Sequence, residues 1–170
     1  MGSSQRRQEI WNVLQEKTAP VSASALAEQF GVSRQVIVGD VALLRSSGKD
    51  ILATPRGYVT ARAPEGIVHR IAVRHTVEQT GTELTLMVDN GCTVRDVIVE
   101  HPVYGEITGM LQIASRYDVS QFLSRSRGAA PLSALTEGIH LHTLICPDEA
   151  AFTRVQNLLR KEGILFEEEP

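Results

Sequence analysis

The sequence predicts an α+β protein, an N-terminal winged helix-turn-helix followed by a ferredoxin-like α/β sandwich. Three observations predict it. The first third carries apolar residues at helical spacing, in segments that open on Ser22 and Ser33 and turn at Gly31. Two short strand-like runs then meet at Pro55-Arg56-Gly57. Beyond Gly66, alternating and helical segments succeed one another in the order β-α-β-β-α-β, followed by a terminal helix and strand.

Ile10, Val13 and Leu14, with Trp11, form a helical stripe over residues 5–17, which Pro20 stops. Ser22 caps a short helix through Leu26, Ala27 and Phe30. Gly31 ends it, because glycine tolerates positive φ. Ser33 caps a third helix in which Ile37, Val41 and Leu44 face inward. The other face carries Arg34, Gln35, Val38, Gly39 and Ala42, with Arg45 nearer the end. In a helix-turn-helix the N-terminal residues of this helix enter the major groove. Arg34 and Gln35 are therefore the base-edge candidates, since Arg pairs bidentately with guanine and Gln with adenine. A solvated helix face is the plain alternative. Asp50 to Thr60 forms the wing, with Arg56 at its tip against the phosphate backbone, where it positions without reading sequence.

Residues 1–62 carry eight Lys or Arg against five acids, a net +3, whereas residues 63–170 carry nine against fifteen, a net −6. The first portion can face a polyanion and the second is repelled by one. The sign changes in the linker Ala61 to Gly66, so the domains are expected at 1–62 and 63–170. With 42% hydrophobic and 22% charged residues the chain has the composition of a globular protein. No apolar run approaches the roughly 20 residues of a membrane span, and the polar N-terminus has no hydrophobic signal region, so a cytoplasmic location is expected, without membrane contact. Cys92 and Cys146 form no CxxC pair and read as buried free thiols.

In the second domain Ile67 to His75 alternates as a strand. Thr76 and Gln79 form a capping box for a helix from Val77 to Val88. Thr93 to Glu100 and Glu106 to Ala114 pair around His101-Pro-Val-Tyr-Gly105. Asp118 with Gln121 opens a helix, Ile139 to Cys146 is a strand, Asp148 to Lys161 a helix, and Ile164 to Phe166 a last short strand.

His140 and His142 lie two apart on a strand, so both rings project to one side, a good geometry for chelation. Imidazole suits Zn, Ni, Fe and Cu, and a carboxylate such as Glu83 can complete a site with them and with His75. Spacing does not show whether the four converge, and two hydrogen-bonded histidines are the plain alternative. Three histidines and an acid also suit a metal-dependent hydrolase. There is no HExxH or GxSxG motif to go with that.

The segments RQVIVGDVALLR, ILATPRGY, VRH followed by Glu83, VEHPVYGEI and GIHLHTL together resemble niacin-responsive transcriptional repressors of the NiaR type, which join a helix-turn-helix to a three-histidine domain. The resemblance covers nearly the whole chain. It implies a repressor of NAD biosynthesis and niacin uptake genes, a homodimer on operator DNA, with nicotinic acid as co-repressor and a divalent metal (Zn, Ni or Fe) in the sensor domain. By position it implies His75, Glu83, His140 and His142 as metal ligands and His101 and Tyr104 as effector-binding candidates. Arg74, Arg95 and Arg116 are the candidates to meet the nicotinate carboxylate. Arg34, Gln35, Arg45 and Arg56 are the DNA-binding set. Gly39 departs from the family pattern, which has a longer polar residue there. Cys146 shares face parity with the His pair and reads as a core thiol or a soft ligand. Two other readings stand beside this one: a metal-dependent enzyme whose helix-turn-helix serves protein contact, and a regulator that senses the metal itself.

Overall fold

Ser22 and Ser33 each place a side-chain oxygen over the first turn of the helix that follows. Ser22 Oγ accepts from Ala25 N at 3.0 Å and Ser33 Oγ from Val36 N at 3.3 Å. These caps satisfy backbone donors that a helix start leaves without partners. They fix α2 (Ala23–Phe30) and α3 (Arg34–Ser46), with Gly31 between them at φ 64°. In this computed structural model, which describes residues 1–168, α1 runs over Ser3–Glu16 and the chain divides into two compact units that meet between Ala63 and Pro64.

The first unit closes its core with Ile10 and Leu14 of α1, Leu26 of α2, Ile37, Val41 and Leu44 of α3, and Ile51. The wing is β1 (Ile51–Thr54) paired antiparallel with β2 (Gly57–Thr60). Val21, in the segment before α2, adds a backbone bridge to Tyr58, with both N–H···O contacts at 2.8 Å. That close approach requires glycine at 57: a Cβ there would lie 2.3 Å from the Val21 carbonyl oxygen. The apolar period does not reveal this third segment, because one bridge makes no alternating run.

The second unit is a four-stranded antiparallel sheet of order β3-β6-β4-β5 with helices packed against it. Its strands are β3 (Ile67–Arg74), β4 (Thr93–His101), β5 (Gly105–Ile113) and β6 (Ile139–Cys146), and its helices α4 (Thr80–Asp89), α5 (Arg116–Ser126) and α6 (Glu149–Lys161). β6, the last strand of the sheet in chain order, lies inside it, between β3 and β4. Ile71, Val73, Val94, Leu144 and Cys146 of the sheet meet Leu84 and Met87 of α4 and Phe152, Val155 and Leu159 of α6 in one core. Burying such side chains contributes roughly 1.5–3 kcal/mol each, which is what holds the helices to the sheet.

Three elements differ from the sequence expectation. The helix expected from Val77 begins as a 3₁₀ turn, Val77–Gln79, and becomes α-helical only at Thr80. Thr76 N donates to Gln79 Oε1 at 3.0 Å, so the capping interaction closes the tight turn. The helix expected to open at Asp118 opens at Arg116. Ser115 Oγ is its cap, accepting from Asp118 N at 3.1 Å, while the Asp118 carboxylate accepts from Ala114 N at 2.9 Å. The last strand is only an isolated bridge of Leu165 to Val73, with Phe166 N donating to Ala72 O at 3.0 Å. A further 3₁₀ turn, Leu132–Thr136, leads into β6.

Candidate functional site

In the second unit, antiparallel pairing of β3 with β6 sets Val73 opposite His140 and Ile71 opposite His142, so both histidines share the helix-covered face with the core residues of β3. His75 follows the end of β3, and the 3₁₀ turn after it carries the chain into α4. There Glu83 falls on the buried side with Leu84 and Met87. Glu83 is thereby brought under both strands. Its Oε2 lies 2.7 Å from His75 Nε2, and its Oε1 lies 3.0 Å from His142 Nε2 and 3.4 Å from His140 Nε2. The four side chains are between 1% and 4% exposed. The His140 ring stands edge-on to its neighbours, 4.9 Å from each and at 80° to His75 and 89° to His142.

The orientation of each ring is fixed from behind. His75 Nδ1 donates to Thr76 O at 2.6 Å, His140 Nδ1 to Gly138 O at 2.9 Å, and His142 Nδ1 to Asp96 O at 2.6 Å. A carbonyl only accepts, so Nδ1 carries the proton and the neutral ring presents a lone pair at Nε2. Three lone pairs then face a carboxylate, which also only accepts. Such a cluster is stable only with a positive charge at its centre, either protons or a metal ion.

The electrostatics of the cluster make the same demand. Burial opposes ionisation of Glu83, but the facing imidazoles, with the charge of His142 foremost, outweigh it and hold the carboxyl well below the usual carboxylate range. Burial also opposes protonation of His142 and His75, and the Glu83 carboxylate overcomes it and raises both. Even so, Glu83 Oε1 and His142 Nε2 are buried with no hydrogen-bond partner. Buried polar atoms without partners are uncommon and costly. A divalent cation fits this donor set, three imidazole nitrogens and a carboxylate oxygen, with the nitrogens pre-aimed by outer carbonyls. Among the described residues His75, Glu83 and His140 each place a donor atom within 4.8 Å of the others, and His142 Nε2 joins them 3.0 Å from Glu83 Oε1.

The other sequence candidates lie elsewhere. His101 and Tyr104 sit at the β4–β5 turn, at the sheet end where β6 begins. His101 Nδ1 accepts from Val103 N at 3.1 Å and Tyr104 N at 3.3 Å, and the two rings lie 5.0 Å apart. They pack on each other rather than in the cluster, and Tyr104 is 75% exposed. Arg116 is taken by Asp89, at 2.7 and 2.5 Å, and Arg95 lies 3.4 Å from Asp96. Arg74 is exposed on β3. Cys146 is a core thiol beside Cys92 and not in the cluster.

In the first unit Arg34 and Gln35 are exposed at the N-terminus of α3 and Arg45 in its last turn. Gly39 and Leu43 continue that open face; nothing lies within 4 Å of a Cβ built on Gly39. Arg56 lies half-buried in the wing turn, where its N–H donates to Thr54 Oγ1 at 3.3 Å. Sequence reasoning missed Asp40, buried on α3 with Arg6 Nε at 2.6 Å and Arg7 at 3.5 Å. An acid in register with Ile37, Val41 and Leu44 is the signal that would have found it. Asp96 was missed as well, though an acid amid the apolar run of β4 is a similar signal. Gly138, whose carbonyl holds His140, was missed because a backbone acceptor leaves no mark in a sequence.

Comparison with known proteins agrees with this architecture. The 3H domain family matches residues 68–168 and an HTH domain family matches residues 6–59. The chain is 46% identical to the "Probable transcription repressor NiaR" of Thermotoga maritima, over 96% of this chain and 95% of that protein. It is 42% identical to the "Transcription repressor NadR" of Bacillus subtilis, over 99% of this chain and 96% of that one. A more distant match, 26% identical over 71% of this chain and 19% of the other, is an uncharacterized protein of Methanothermus fervidus. With the full-length relatives named as repressors, the metal-dependent enzyme reading falls. The chain therefore belongs to the 3H-domain transcription repressors of the NiaR and NadR type, an HTH domain followed by a 3H domain.

Proposed function

We propose that this repressor acts as a homodimer on operators of NAD biosynthesis and niacin uptake genes, with nicotinic acid as co-repressor. The observation that carries the sensor half is the convergence of three Nε2 lone pairs on the buried Glu83 carboxylate, in the domain that follows the DNA reader. His75, Glu83, His140 and His142 would hold a divalent metal (Zn, Ni or Fe), which supplies a Lewis-acid contact for the pyridine nitrogen or carboxylate of nicotinate. Thr76, Gly138 and Asp96 carbonyls keep the rings aimed inward. His101 and Tyr104, at the same sheet end, are proposed to contact the effector.

Arg34 and Gln35 read base edges while Arg45 and Arg56 contact phosphates. Two recognition helices about one DNA turn, roughly 34 Å, apart would read a palindrome. Operator binding makes the cytoplasm the place of action, and no helix among the described residues is long and apolar enough to cross a membrane. A co-repressor must bind the DNA-competent state more tightly than the other, since equal affinity shifts nothing.

The test is an anisotropy titration of operator DNA with metal-loaded protein, with and without nicotinic acid. Operator affinity rises with nicotinic acid, and the rise disappears in His140→Ala/His142→Ala protein. Unchanged affinity in the metal-replete wild type would sink the co-repressor assignment. If added metal alone raised operator affinity and nicotinic acid added nothing, the protein would be a metal sensor instead.

A further inference from the structure

Between the pairs Val94↔Leu144 and Ile98↔Leu141, strand β4 carries one more residue than β6. Within that bulge Asp96, whose Oδ2 lies 3.4 Å from Arg95 Nε, makes two contacts of different kinds to β6. Its carbonyl accepts from His142 Nδ1 at 2.6 Å, and its carboxylate Oδ1 accepts from the Thr143 backbone N–H at 2.9 Å. In an unbroken antiparallel ladder, backbone N–H groups of one strand donate to backbone carbonyls of the other. Here the carboxylate takes the ladder donor, and the carbonyl is left for the imidazole of the adjoining residue. Asp96, His142 and Thr143 are 3%, 3% and 0% exposed, so neither contact has water as a substitute.

We infer that Asp96 and the β4 bulge form a positioning device for His142, clamping its backbone neighbour and its Nδ1–H so that Nε2 points at the Glu83 carboxylate. The inference rests on the reading of the cluster as a metal centre. A buried carboxylate is costly to desolvate unless it is hydrogen-bonded, and a plain ladder bond would have satisfied Thr143 N–H without one. Its presence is accounted for by what it releases: a free carbonyl aimed at an imidazole. Bulges recur where a side chain must be re-aimed, and outer acceptors of this kind fix the tautomer of a ligating histidine. Asp96 acts through His142 and is not itself a ligand.

The test uses full-length protein stripped with chelator and titrated with Zn²⁺ against a chromophoric competitor. Asp96→Ala weakens Zn²⁺ binding by about 10- to 100-fold. Asp96→Asn stays within about threefold of wild type, because its side-chain carbonyl still accepts from Thr143 N–H. A second measurement does not depend on the variants folding. In ¹⁵N-histidine spectra of the Zn²⁺-loaded wild type, His142 is metallated at Nε2 and keeps a hydrogen-bonded proton at Nδ1. Wild-type Zn²⁺ affinity in Asp96→Ala, or His142 bound through Nδ1, overturns the inference while leaving the metal reading intact. A wild type that binds no Zn²⁺, Ni²⁺ or Fe²⁺ overturns the metal reading and this inference with it.

Discussion

Arg6 Nε donates to Asp40 Oδ2 across 2.6 Å, tying the first helix to the helix proposed to read DNA. Asp40 is 5% exposed at its side chain and Arg6 13%, with Arg7 at 3.5 Å as a second, more exposed cation. Removing one partner of a buried pair leaves the other charge desolvated and unpaired. Asp40→Ala is expected to destabilise the N-terminal unit by about 3 kcal/mol, the low end of the range for such pairs because water reaches both arginines in part. Trp11, the only tryptophan, packs against this core, so its fluorescence during urea unfolding reports the unit directly. A midpoint unchanged from wild type would show that the pair is a surface contact.

The metal-free cluster should respond to pH in the opposite sense to the metal-loaded one. His75 and His142 have folded-state pKa values raised above the ordinary value near 6.5. Their stabilisation is therefore complete below that value and is lost as pH rises through the raised ones. Glu83 is depressed, so its contribution is present above the ordinary carboxylate value and lost only as acid reaches the lowered one. Metal-free protein should thus lose stability of the second unit above neutral pH. Protons compete with metal for the same Nε2 lone pairs, so the thermal shift given by Zn²⁺ should grow from pH 6 to pH 8. A Zn²⁺ shift independent of pH would argue against imidazole ligation.

Much of this was legible because it is local. Ser22 and Ser33 cap the helices the sequence assigns them, since a cap is a contact over three residues. The parity of His140 and His142 follows from the period of a strand. Convergence of His75 and Glu83 on that pair does not, because it depends on β6 inserting between β3 and β4 and on a 3₁₀ turn setting where α4 begins. The family resemblance supplied those two residues where spacing could not. The bulge at Asp96 was out of reach for the same reason, a long-range irregularity with no periodic trace, and the sequence located the run Ile164 to Phe166 but not that it pairs through a single bridge at Leu165.

The two kinds of DNA contact proposed for the first unit separate experimentally. Arg34→Ala removes a bidentate base contact and is expected to cost about 1–3 kcal/mol of operator affinity, with relaxed preference at one base pair. Arg56→Ala removes a phosphate contact, weakening binding to all sequences alike and lowering the slope of log K against log salt by about 1. Anisotropy titrations over a salt series on operator and scrambled duplexes measure both. Equal losses on the two duplexes for Arg34→Ala would reassign that residue to the backbone.

Gly138 is the position where one added carbon should disable the cluster without touching a ligand. It sits at φ 92°, a conformation that residues with a Cβ rarely adopt, and a Cβ there would lie 2.9 Å from the His75 carbonyl oxygen. Its own carbonyl accepts from His140 Nδ1. An alanine must therefore push the chain away from His75 and swing the acceptor of His140 with it, moving two of the three ring nitrogens that face Glu83. Gly138→Ala is expected to lower Zn²⁺ affinity by about tenfold, within the range for lost outer acceptors, and to cost about 1–3 kcal/mol in backbone strain. Gly163→Ala is the control, at φ 71° with no atom within 4 Å of its Cβ: it bears strain but holds no histidine. If the two variants lost stability equally and both kept wild-type Zn²⁺ affinity, Gly138 would be a turn residue only. If Gly138→Ala alone lost the metal, the His75 and Gly138 contact would be part of how the fold builds the site.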